Sequence, residues 1–303
     1  MTVPHLVVEG DDLGLAFGFN TGLLAAHQRG CLTSVSLRAN GPALADAVNR
    51  VLPQAPLLGR GAHICLNEGP AVFLRGRHLS FIRDGRFRHT GIAGFLHLFA
   101  FAGRQPVRQL FRDEIEAQLA CLQRHTALDH LNSHMHVHMI PWLFDLCADA
   151  CARHGIPFIR TARETAVLPT LRWRCPSLAH ALHYAHIRYR SRRACRRLPA
   201  AVRTNDAFIG LLHSGTMRAA PVMAQLRVLR AAKHPPRIIE LLAHPALPDS
   251  RDRNIDFEPY ERREITSRRR EDELAMLCSP ELAGCCAQLS LAPTTYRTLA
   301  ERV

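Results

Sequence analysis

The segment Asn132-Ser133-His134-Met135-His136-Val137-His138 sets three imidazoles at alternate positions directly after the strand-like Leu128-Asp129-His130-Leu131. On an extended chain, residues i, i+2 and i+4 share one face. The three rings are therefore expected to point the same way at the end of one strand. Imidazole is the commonest protein metal ligand and titrates near neutrality, so such a row suits a metal site or acid–base chemistry. The plain alternative is chance clustering in a chain with 18 His in 303 residues.

Two more pieces sit nearer the N-terminus. His5-Leu6-Val7-Val8-Glu9-Gly10 reads as a short buried strand, and Asp11-Asp12-Leu13-Gly14 follows it. Adjacent carboxylates repel unless a cation or a proton lies between them. One can then ligate a metal while its neighbour acts as a base, although Asp-Asp before Gly is also ordinary turn chemistry. Gly59-Arg60-Gly61-Ala62-His63-Ile64 places a further His at a strand end. Taken with the other two motifs, it completes an Asp/His/His set.

These residues need elements to hold them. Strand-like stretches at 5–10, 31–37, 58–64, 128–133, 157–160, 201–203 and 237–243 alternate with helical stretches near 18–29, 42–52, 106–125, 141–154, 176–197, 219–232 and 258–278. Residues 65–104 look irregular, apart from a hairpin over Phe81–Phe87 turning at Asp84-Gly85. Regular βα alternation implies an α/β fold with a mainly parallel sheet. Its expected form is a distorted (β/α) barrel filling residues 1–303 as a single domain, with a basic helical insertion near 165–200. Asp11, Asp12, His63, His134 and His244 all fall at the C-terminal ends of predicted strands, the rim where α/β barrels build their active sites.

Composition narrows the class. An apolar content of 47% can fill a sizeable core. The ten Cys are scattered without a CxxC pair, as free buried thiols are. The start shows no signal-peptide pattern, and no apolar run is long enough to span a bilayer. Together these point to a reduced, cytoplasmic setting. A net charge of +13 favours anionic partners, unless it only reflects a bias toward Arg.

In order along the chain, these pieces resemble the YdjC-like carbohydrate deacetylases, the family that includes chitooligosaccharide deacetylase. The family's Ala-Asp-Asp-Phe-Gly stands here as Gly10-Asp11-Asp12-Leu13-Gly14, with Asn20 matching its following Asn. Its Gly-Ile-Val-Thr-Ser-x-Ser-Leu stretch corresponds to Gly30–Leu37, then Asn40-Gly41. Gly-Leu-His-Leu appears as Gly61-Ala62-His63-Ile64, and Asp-Ser-His-x-His-Val-His-Met as Asn132–Met139. The late Cys-His-Pro-Gly appears as Ala243-His244-Pro245-Ala246. The resemblance runs from about residue 5 to about 265, and 165–200 matches least.

The resemblance implies removal of acetyl from an N-acetylamino sugar with one divalent metal ion, held by Asp12, His63 and His134. Ligands of this kind favour Zn2+ or another first-row metal, since Mg2+ prefers more oxygen. Family members are nonetheless often assigned Mg2+, which stays open. Asp11 would be the general base, and His244 the proton donor to the amine, by analogy with polysaccharide deacetylases. His136 and His138 would orient ligands, bind sugar hydroxyls or donate that proton. Alternate residues on a straight strand stand about 6–7 Å apart, so His134 alone of that row is expected on the metal. Arg160, at another strand end, would touch substrate unless it is a surface Arg.

Residues 172–197 interleave arginines such as Arg188, Arg190, Arg192 and Arg193 with Trp173, Tyr184 and Tyr189. Such a helix suits an anionic membrane surface, and with it a lipid-linked or nucleotide-linked sugar. The plain reading is a solvated helix with snorkelling arginines. Other function classes are a metal-dependent phosphoesterase of the PHP kind, which usually carries His-x-His near its first strand, and a non-catalytic nucleic-acid-binding protein. No motif supports specific nucleic-acid binding. Pairing into a homodimer is left open.

Overall fold

The computed structural model describes residues 3–77, 79–88, 91–100, 105–164, 185–191, 198–214 and 217–302. Its centre is a parallel sheet built from β1 (His5–Leu13), β2 (Ser34–Leu37), β3 (Gly59–Ile64), β6 (His130–Ser133), β7 (Phe158–Ile159), β8 (Ala207–Ile209) and β9 (Ile238–Ala243). The strand order is β7-β6-β3-β2-β1-β9-β8. A two-residue strand, β10 (Ala292–Pro293), pairs with the first residues of β1. The expected hairpin is present as β4 (Ile82–Arg83) and β5 (Arg86–Phe87), with positive φ at both Asp84 and Gly85.

The sheet curls into an incomplete barrel. At the seam between β7 and β8, the described residues form no continuous ladder but are joined by isolated bridges, Phe158 to Arg203 and Glu164 to Phe208. The Glu164 carboxylate ties the same seam by accepting from the N–H groups of Gly210 and Leu212.

The strands carry two different faces. Leu6, Val8, Val35, Leu37, Ala62, Ile64, Leu131, Ile239 and Leu241 are buried in the large apolar core. The intervening positions read Val7-Glu9-Asp11, Ser34-Ser36, Gly61-His63, His130-Asn132 and Glu240, and period-2 geometry places each set on the opposite face. That face is the barrel interior. Its floor is apolar, formed by Val7, Phe158, Tyr296 and Leu299. Above the floor the interior is polar and charged.

Several expected elements differ. The second strand starts at Ser34 rather than Cys31, because the Cys31 and Leu32 N–H groups are taken by Leu277 O and Ala26 O. The helix near 42–52 runs on to Gln54 through a π-helical turn, Ala47–Val51. Ala201–Arg203 forms no strand, only the bridge at Arg203; the strand is Ala207–Ile209. The charged helix near 258–278 is two helices, Pro259–Ile265 and Arg269–Leu277. Helix Gly91–Ala100 lies in a stretch expected to be irregular, and Pro280–Gln288 and Tyr296–Glu301 add a helical C-terminus. Of the basic stretch 172–197, only 185–191 is described, and it is helical; the rest lies outside the described residues. Among described residues, no helix is long and apolar enough to cross a membrane.

Candidate active site

Asp11 and Asp12 are neighbours on β1, so a regular strand would turn them to opposite faces. The register between β1 and β2 slips between Gly10 and Leu13, and Asp12 takes φ 68°. Asp tolerates this left-handed conformation better than most residues. The bulge re-aims the second carboxylate, as bulges do. Both carboxylates then approach one imidazole: Asp11 Oδ2 lies 3.7 Å from His63 Nδ1, and Asp12 Oδ1 lies 3.4 Å from His63 Nε2.

The three histidines do not share a face. His134–Met139 forms tight helical turns, with Met135 and His136 at φ 50° and 54°. This overturns the extended reading: two left-handed residues fold the chain back before helix Pro141–Arg153 begins. His134 Nδ1 reaches to 3.6 Å from Asp12 Oδ1. His136 packs edge-on against Phe208. His138 is fully buried, with Nδ1 2.5 Å from Ser133 Oγ and Nε2 3.0 Å from Arg160 O. Both its ring nitrogens are engaged within the protein, so it braces the Arg160 backbone.

Asp12, His63 and His134 form a buried cluster whose ligand atoms lie within 4.8 Å of one another. The donor set fits a divalent ion. Asp12 Oδ1 and His63 Nε2 are buried without hydrogen-bond partners, an arrangement that burial otherwise penalises. The outer nitrogens are already oriented. His63 Nδ1 lies 2.6 Å from Asn132 Oδ1, and His134 Nε2 lies 3.1 Å from Glu68 Oε2. Partners of this kind fix the tautomer of a ligating imidazole. Burial pulls His63 down to about 4, only partly offset by Asp11 and Asp12. For His134, burial also pulls down, but Glu68 and Asp12 outweigh it and raise the ring well above its usual range.

Asp11 is held differently. Arg160 Nη1 and Nη2 each donate to one of its oxygens at 2.7 Å. Ser36 Oγ and Asn132 Nδ2 donate to Oδ1 at 3.0 and 3.1 Å. Burial alone would raise this carboxyl, but Arg160 and His63 hold it below the usual carboxylate range. Arg160 is 1% exposed, so it is not a surface residue, and its Nε donates to Glu240 Oε1.

His244, just beyond β9, is anchored by Glu273, whose Oε2 accepts from the His244 N–H at 2.5 Å and lies 3.7 Å from Nδ1. Buried Arg38 places Nη1 3.5 Å from Asp12 Oδ1 and donates from Nη2 to Glu261 Oε1. The two charged helices each deliver a buried carboxylate here, Glu261 and Glu273. Sequence reasoning missed Ser36, Arg38, Glu68, Asn132 and Glu273 as site residues. Ser36 and Asn132 sit inside the quoted motifs, so position could have found them. A cavity of about 470 Å³ lies beyond β9, lined by Ala246, Leu247, Asp252, Phe257 and Arg270 among others; no residue of the Asp12/His63/His134 cluster lines it.

An incomplete barrel with a polar interior and a buried Asp/His/His cluster able to hold a metal ion defines the class of site. The profile of the family described as YdjC-like protein matches residues 5–288, and the chain belongs to that family. It is 31% identical over 251 residues to a carbohydrate deacetylase of Homo sapiens, covering 80% of this chain and 75% of that protein. It is 32% identical over 169 residues to a chitooligosaccharide deacetylase of Salmonella dublin, covering 54% and 61%. In fold it is similar to a crystal structure from Enterococcus faecalis V583 described as a cellobiose-phosphate cleavage protein, with TM-score 0.68, 19% identity and coverage of 98% and 99%.

Proposed function

We propose that this protein is a metal-dependent carbohydrate N-deacetylase that hydrolyses the acetamide of an N-acetylamino sugar. The observation that carries the reading is the buried Asp12/His63/His134 cluster, standing beside a separately held carboxylate in a chain related to carbohydrate deacetylases. Asp12 Oδ1, His63 Nε2 and His134 Nδ1 would hold the ion. Their N/O character favours Zn2+ over Mg2+. When bound, the ion supplies Lewis acidity to the amide carbonyl and to water.

Asp11 accepts the proton of the attacking water, and Arg160 keeps this carboxylate ionised and fixed in orientation. The water oxygen bonds to the acetyl carbon, the C–N bond breaks, and the amine leaves with a proton from His244. Glu273 holds the backbone from which His244 projects. The products are acetate and the free amino sugar.

The test is acetate release from N-acetylglucosamine compounds: chitooligosaccharides, sugar nucleotides and lipid-linked sugars. Wild type should release acetate from one class, lose this with a chelator, and regain it with one metal. Asp11→Asn should keep its metal and lose about 10²–10⁴-fold in kcat, the range for a general base. His134→Ala should lose both metal and activity. Metal retained by the wild type with no acetate from any class would sink the reading, and inorganic phosphate from a phosphorylated sugar would replace it with a phosphoesterase.

A further inference from the structure

The floor of the barrel holds a hydroxyl that the chemistry above leaves without a task. Tyr296 opens helix Tyr296–Glu301, beyond the residues matched by the family profile. It is 1% exposed, and its ring packs with Phe158 and lies 4.9 Å from His130. As a plug with Val7, Phe158 and Leu299, a phenyl ring would serve equally well. A phenol needs a partner there, because a buried hydroxyl without one is costly. Its partner is Glu240: Tyr296 Oη donates to Oε2 at 2.5 Å. The other oxygen of Glu240 accepts from Arg160 Nε at 2.5 Å, and both Nη atoms of Arg160 hold Asp11.

We propose that Tyr296 is a positioning residue: acting through Glu240 and Arg160, its hydroxyl sets the orientation of Asp11, so the C-terminal segment tunes the reacting carboxylate from beneath. This rests on the reading of Asp11 as the base. Each link is buried and Glu240 and Arg160 each bridge two partners, so a change at the Tyr296 end shifts the Arg160 side of Asp11, while Ser36 and Asn132 still hold Oδ1. Without the hydroxyl, Glu240 Oε2 loses its donor in the barrel interior. The carboxylate then turns or takes up a proton, and its grip on Arg160 Nε weakens. The guanidinium, held less firmly from below, gains freedom and with it the orientation of Asp11 loosens. Low-dielectric networks are sensitive to the loss of one member in this way.

The experiment compares wild type, Tyr296→Phe and Leu299→Ala as full-length, metal-loaded chains. Leu299→Ala loosens the same helix without touching the hydrogen-bonded chain. NMR on ¹⁵N-arginine-labelled protein reads the Arg160 Nε–H, assigned with Arg160→Lys, and acetate release gives kcat and KM. In Tyr296→Phe the Arg160 signal should move and exchange faster with solvent, and kcat should fall by about tenfold as Asp11 spends less time in its reactive orientation. KM and metal content should stay unchanged. Leu299→Ala should lower thermal stability yet leave the Arg160 signal and kcat as in wild type. A wild-type Arg160 signal in Tyr296→Phe, or an equal kcat loss in Leu299→Ala, would overturn the proposal. If wild type released no acetate at all, the deacetylase reading would fall, while the Arg160 signal would still decide whether Tyr296 holds Arg160.

Discussion

Glu68 illustrates what a single residue contributes at this site. It is fully buried and sets a carboxylate oxygen 3.1 Å from His134 Nε2. With that nitrogen held, Nδ1 is the ring atom left to face Asp12. Glu68→Gln should therefore weaken metal binding by about 10–100-fold, the usual loss for a partner that orients a ligand. Competition with a chromophoric chelator would measure it; wild-type affinity would mean that Glu68 does not set the ring. Residues such as Glu68 and Arg38 were not legible in the sequence as site members, and Arg160 was expected there as a substrate contact rather than as the buried partner of Asp11. A charged side chain is normally solvated, and only the fold reveals that each of these is buried against an opposite charge. His63 and the Asp11-Asp12 pair were legible, because they end apolar strands.

At the scale of elements, the site depends on how closely helix Phe17–Arg29 approaches the turn after β9. A Cβ on Gly22 would stand 2.5 Å from Ala246 Cα and 2.6 Å from Pro245 O. These are backbone atoms, so neither can yield alone. Gly22→Ala should cost about 1–3 kcal/mol by overpacking, visible as a lower Tm. It should also cut acetate release beyond that loss, because Pro245 follows His244. Full activity in a folded Gly22→Ala protein would show that the turn moves without disturbing His244. The helices and strands of this half were readable from hydrophobic period and from Gly and Pro punctuation. The segment after β6 was not: alternating His and apolar residues mimic a strand, while Met135 and His136 adopt a left-handed turn that no side-chain pattern announces. Strand β8, Ala207–Ile209, escaped notice because the strand-like Ala201-Val202-Arg203 just before it was read in its place.

In the whole molecule, contacts across the interior do what strand pairing does not. Two strands separate β1 from β6 in the sheet, which in a flat sheet would put them about 14 Å apart. Instead Glu9 Oε1 meets His130 Nε2 at 2.9 Å, and Gly61, lacking a side chain, leaves room for the His130 ring. Burial alone would lower the His130 imidazole, but Glu9 and Asp129 outweigh it and raise it from 6.5 to about 10. A raised folded-state pKa means that this stabilisation is complete below about pH 6.5 and fades as pH climbs toward 10. The stability gap between wild type and His130→Gln should narrow across that window in denaturant titrations, and a gap constant with pH would contradict a charged His130. The inward pattern Val7-Glu9-Asp11 was present in the sequence, but polar residues on the inner face of a buried strand run against the expectation for parallel sheets.

Strand β1 lies in the middle of this sheet, with β9 along one edge and β2 and β10 along the other. Its pairing is therefore complete only when residues far along the chain, Ile238–Ala243 and Ala292–Pro293, have joined it. A chain cut after β9 would keep the site residues from Asp11 to His244 and yet lose Tyr296 and Leu299, which with Val7 and Phe158 form the floor beneath them.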